Sequence, residues 1–137
     1  MNLHLSWADA RNYAILLGIF LLIDGLWLFL IAKKLYAQNL GYLMAEKPRL
    51  IAALLFYLLY VLGLQGFVVN PALAAGTVSA ALFPGMLFGL IAYATYDLTN
   101  LATVKDWPVL ITAVDLVWGS FVSGITSLLG YWIIRQL

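Results

Sequence analysis

Residues 82–104 read LFPGMLFGLIAYATYDLTNLATV, an apolar run that meets no charge until Asp97. At roughly 1.5 Å per residue a helix over this run crosses the roughly 30 Å hydrocarbon core of a bilayer. Its second half nevertheless gathers Tyr93, Thr95, Tyr96, Asp97, Thr99, Asn100 and Thr103. A carboxylate near the bilayer centre costs about 3 kcal/mol on insertion scales, so such groups face a bundle interior or a wet cavity. The run predicts a transmembrane helix with one polar side turned inward.

The rest of the composition agrees. Hydrophobic residues make up 65% of the 137-residue chain and charged residues 9%, where an average soluble protein has roughly 25% charged residues. A soluble domain this apolar would expose large apolar patches; the chain is predicted to be an integral membrane protein, a single transmembrane domain over 1–137. There is no cysteine, which excludes thiol catalysis, disulfides and thiolate metal sites. His4 is the single histidine, so neither a multi-histidine metal site nor imidazole-ligated haem built from several histidines is expected, and the sequence leaves any cofactor unknown. A net charge of +1 without a basic block offers nothing to grip phosphates, and nucleic acid is not an expected partner.

Four apolar runs predict an all-α, up-down four-helix bundle with helices at about 12–33, 50–69, 82–104 and 109–134. The N-terminal leader lacks the features of a secretory signal peptide. Lys33-Lys34 closes the first run, and 33–49 is read as a loop carrying a short interfacial helix near 35–43. Asn70-Pro71 is expected to end the second helix, leaving 72–81 as a connection, with Pro84 in the first turn of the third helix. Residues 105–108 form a tight turn. Trp7, Tyr13, Trp107, Tyr131 and Trp132 are expected at the membrane interfaces. Gly85 and Gly89, and Ser120 and Gly124, have the small-residue spacing that lets helices approach closely; a homodimer is also compatible with so narrow a bundle. Lysine and arginine counts, with Lys33, Lys34, Lys47, Arg49 and Lys105 on one side and Arg11 and Arg135 on the other, place both termini outside the cytoplasm.

Depth singles out a set of residues. With these boundaries Asp24, Tyr57, Asp97 and Asp115 each lie roughly 10–14 Å from the same membrane face. On the third helix Tyr93, Asp97 and Asn100 share a side, with Tyr96 adjacent; on the fourth, Asp115 and Trp118 share one. Three carboxyls with no intramembrane Lys, Arg or His cannot all be ionised cheaply, because desolvation and like charge act in the same direction. They must be protonated, share protons or bind a cation. The candidate ligand- or proton-binding residues are therefore Asp24, Asp97, Asp115, Tyr57, Tyr93, Tyr96, Asn100 and Trp118, with no metal site expected.

The pattern Leu22-Ile23-Asp24-Gly25-Leu26-Trp27, Tyr36, Gly41-Tyr42-Leu43-Met44, Phe56 to Tyr60, Gly85, Gly89, Tyr93 to Thr103, Trp107 and Asp115 with Trp118-Gly119 resembles a family of small bacterial inner-membrane proteins catalogued as a domain of unknown function. The resemblance spans nearly the whole chain, with Tyr96-Asp97-Leu98-Thr99-Asn100 its most specific part. It implies a four-helix protein of the bacterial inner membrane and supplies no substrate.

Three classes of function fit these residues. In the first, a proton, a cation or a small cationic molecule binds at the carboxylate layer, with or without transport. In the second, the protein is an accessory or structural subunit that recruits a partner through its charged first loop. In the third, it is an intramembrane enzyme using an acid on a lipid. Tyr96-Asp97 resembles one element of intramembrane aspartyl proteases, but the Thr112-Ala113-Val114 sequence before Asp115 departs from the other.

Overall fold

The computed structural model describes residues 4–137. Among them four helices are long and apolar enough to cross a membrane: α1 (Trp7–Leu40), α2 (Leu50–Ala75), α3 (Ser79–Thr103) and α4 (Val109–Ile134). They run alternately up and down, joined by 41–49, 76–78 and 104–108. α3 and α4 form the central hairpin, and α1 and α2 pack against it.

α4 occupies the expected residues, with Pro108 as its extended N-cap. The other boundaries move for identifiable reasons. α1 begins before the apolar run, because Ser6 and Asp9 close a reciprocal capping box over its first turn. It also continues past Lys33-Lys34 to Leu40, through a π-helical turn at Leu28–Ala32. The two lysines mark where apolar sequence ends, not where the helix ends, since long cationic stems tolerate an exposed helical face. The expected loop at 33–49 therefore shrinks to 41–49.

α2 likewise runs through Asn70-Pro71. A proline ring clashes with the carbonyl four residues earlier and leaves it without a donor. A π-helical turn at Gln65–Val69 immediately precedes the proline and rearranges the bonding where that conflict arises. The helix ends instead at Gly76, whose φ of 72° is the left-handed conformation glycine adopts without penalty. The connection to α3 is thus three residues long, and Pro84 lies inside α3 rather than in its first turn.

Small residues let α3 and α4 touch. A Cβ on Gly89 would stand 2.5 Å from Ser123 Oγ, and one on Gly85 2.6 Å from Ser127 Oγ. Close backbone approach of this kind is how membrane helices gain van der Waals contact where water provides no drive. A core of Leu16, Phe20, Tyr60, Val61, Val69 and Val122 joins α1 and α2 to α4, and Phe88, Ala92 and Tyr93 of α3 pack against it. A second cluster, Leu40, Trp107 and Ile111, docks the extension of α1 beneath the α3–α4 hairpin.

Trp107 and Tyr131, expected in the interfacial belt, are both buried, whereas Trp7 and Trp132 face outward. Trp107 donates to Thr112 Oγ1 at 3.1 Å. Tyr13 donates to the carbonyl of Leu58 at 2.7 Å, tying α1 to α2. α2 itself is anchored by one half. Tyr60, Val61, Leu64, Gln65, Val68, Val69 and Ala72 are buried, while Leu50, Ile51, Leu54, Leu55, Phe56 and Leu59 face outward.

Candidate functional site

The polar layer expected from depth resolves into two tiers. In the upper tier Asp24, carried by α1, is a satisfied carboxylate. Tyr57 of α2 donates to its Oδ2 at 2.5 Å, and the Trp118 indole of α4 donates to its Oδ1 at 3.1 Å. Trp118 also stacks on Trp27, with ring centroids 4.3 Å apart and planes 9° from parallel. Tyr93 of α3 leans toward this tier, its ring edge-on to Tyr60, and the Tyr60 hydroxyl lies 2.5 Å from Ser123 Oγ. Three helices therefore converge on Asp24 through ordinary hydrogen bonds and aromatic packing.

The lower tier holds Asp97 of α3 and Asp115 of α4. Asp115 accepts a hydrogen bond from the Tyr36 hydroxyl. Tyr36 belongs to the extension of α1 beyond its π-helical turn; side chains on a helix tilt toward its N-terminus, which carries this hydroxyl back into the bundle. Tyr96 lies on the outer side of the acids, exposed, with its ring edge-on to Trp107.

Asp97 differs from every other acid in the chain. It is 0% exposed, and neither carboxyl oxygen receives a hydrogen bond from any donor among the described residues. Its acidic neighbour is the Asp115 carboxyl. Two ionised carboxylates are acceptors only and cannot bond one another, whereas one protonated carboxyl can donate to its neighbour. A shared proton or a bound cation meets this requirement. Among the described residues no group of three or more His, Cys, Asp or Glu comes together, so any cation here would be held by two carboxyls and the surrounding hydroxyls.

Of the residues expected at the site, Asp24, Tyr57 and Trp118 form the upper tier, with Tyr93 beside them. Asp97, Asp115, Tyr96 and Asn100 belong to the lower one. Tyr36 is the partner that depth reckoning misses, because a first span ending at Lys33 leaves it in the connection, on a separate interfacial helix near 35–43. The signal for it was the apolar pair Tyr36 and Leu40, spaced i, i+4 on one helical face.

A recess of ≈ 410 Å³ opens beside the lower tier, lined by Phe56, Tyr60, Ala92, Tyr93, Tyr96 and Asp115. It lies between α2 and the polar side of α3. Below it, Leu40, Trp107 and Ile111 close the bundle at the end bearing the 41–49 and 104–108 connections. Tyr42 reinforces that closure, donating to the carbonyl of Asp106 at 2.8 Å.

Four apolar spans around an interior of carboxyl and hydroxyl groups define a multi-span helical membrane protein that sits in a lipid bilayer. Residues 10–132 match the family model described as "Predicted membrane protein (DUF2177)", and the chain belongs to that family. No curated protein and no solved structure matches the chain.

Proposed function

We propose that this is a binding or transport protein of the bacterial inner membrane in which the Asp97–Asp115 pair exchanges a shared proton for a cation or a small cationic molecule. The observation that carries the reading is Asp97: fully buried, with no donor on either oxygen, and beside a second carboxyl. A purely structural acid would be expected to resemble Asp24, with each oxygen occupied by a donor. Unpaired intramembrane carboxyls more often mark proton or ion pathways.

In this mechanism the pair holds one proton between two carboxyl oxygens, which avoids placing two like charges together in a low-dielectric interior. A monovalent cation entering the lower tier replaces that proton, which is released, and leaves the net charge of the site unchanged. Tyr36 fixes the orientation of Asp115 by donating to it, and Tyr96 and Asn100 supply neutral oxygens nearby. Asp24 is the anchor of this arrangement rather than its ligand. The distribution of lysine and arginine supports an orientation with both termini outside the cytoplasm.

Infrared spectroscopy of the reconstituted protein tests this reading. The wild type should show a protonated-carboxyl band at neutral pH that is lost in both Asp97→Asn and Asp115→Asn and kept in Asp24→Asn. A wild-type spectrum without that band would refute the shared proton.

A further inference from the structure

We infer that the acid pair is reached sideways, from the bilayer, through the recess between α2 and α3, and that its ligand is a lipophilic organic cation rather than a small hydrated one. This deepens the proposed exchange at Asp97–Asp115 and rests on it. Two features of the fold set the direction of entry. Under the pair, the extension of α1 seals the bundle end with Leu40 against Trp107 and Ile111, and Tyr42 bonds to the turn at Asp106. At the side, α2 is anchored from Tyr57 onward, by the Tyr57 bond to Asp24 and by the buried Tyr60 and Val61, while Phe56 and Leu59 face outward.

The walls of the recess fit the same ligand. Phe56, Tyr60, Tyr93 and Tyr96 offer aromatic surface, Ala92 leaves space between them, and the carboxyl of Asp115 forms one wall. Aromatic faces attract organic cations, most strongly where water is excluded, and the neighbouring unpaired Asp97 supplies the balancing charge. A small hydrated cation would lose its full water shell in such a recess and recover two carboxyls and a few neutral oxygens, against walls that are mostly aromatic carbon. A cation carrying its own apolar groups arrives already partitioned into the bilayer. Its volume must match a recess of ≈ 410 Å³, which is within the usual range for small-molecule pockets.

The test measures proton release from the full-length protein in lipid nanodiscs on addition of tetraphenylphosphonium or of methylammonium. Wild type should release a proton to tetraphenylphosphonium at far lower concentration than to methylammonium. Ala92→Phe, which fills the recess and leaves both acids in the sequence, should weaken the tetraphenylphosphonium response at least tenfold and leave the infrared carboxyl band in place. Phe56→Ala, at a half-exposed position, should weaken it several-fold and serves as the second variant should Ala92→Phe fail to fold. Release to methylammonium but not to tetraphenylphosphonium would overturn sideways entry and leave the acid-pair reading standing. An unchanged tetraphenylphosphonium response in the folded recess variants would also overturn it. Release to neither cation would overturn both.

Discussion

Replacing Asp24 by alanine removes the acceptor of two hydrogen bonds, whereas replacing Asp97 by alanine removes none that a donor side chain makes. Both carboxyls are buried, so the cavity left by truncation is similar and largely cancels between the two variants. The difference is then set by the stranded donors of Tyr57 and Trp118. Hydrogen bonds between membrane helices average about 0.6 kcal/mol and reach about 1.7, so two of them amount to about 1–3 kcal/mol. Asp97→Ala loses the carboxyl contact with Asp115 but also relieves a desolvated, crowded acid, and its net cost should be close to zero. Asp24→Asn makes an internal control. Its amide oxygen can accept from the indole N–H of Trp118, and its NH2 can donate to the Tyr57 oxygen, so both contacts survive. The assay is reversible unfolding in mixed micelles at increasing denaturing detergent, read by tryptophan fluorescence. Asp24→Ala should be less stable than Asp97→Ala by at least about 1 kcal/mol, with Asp24→Asn near wild type. Equal destabilisation by Asp97→Ala and Asp24→Ala would refute the division into an anchoring acid and a ligand-binding one.

Gly89→Val should destabilise the α3–α4 hairpin by about 1–3 kcal/mol, the range for overpacking a tight contact, because its side chain would enter the space of Ser123; the same unfolding assay measures it. Tyr36→Phe removes the donor that orients Asp115 and should weaken cation-driven proton release while leaving stability within about 1 kcal/mol of wild type. Leu40→Asp should undock the extension of α1 from Trp107 and Ile111. Accelerated hydrogen exchange in 33–40, with the spans unaffected, is the expected result, and an unchanged rate would contradict the closure described for that end.

Periodicity and hydropathy made the number of spans and the whole of α4 legible, since Pro108 starts that helix and the apolar run ends with it. They misplaced the ends of α1 and α2 because they report where apolar sequence stops. A helix can outlast its apolar run, as α1 does past Lys33, and a π-helical turn can absorb a proline, as at Gln65–Val69. The candidate acids were legible as buried groups from their depth alone. Their division was not: whether a carboxyl has donors depends on contacts such as Tyr57 to Asp24, 33 positions apart, and Trp118 to Asp24, 94 apart. Tyr36 escaped for the same reason, since its role follows from a helix extension that folds back under another hairpin.

The account turns on whether Asp97 and Asp115 hold a proton that a cation can displace. Proton release from the reconstituted protein, followed with a pH-sensitive dye during titration with tetraphenylphosphonium, measures this directly. Wild type and Asp24→Asn should release a proton as the cation binds, and Asp97→Asn should bind weakly and release none. Release that persists undiminished in Asp97→Asn would place the exchangeable proton elsewhere and contradict the account.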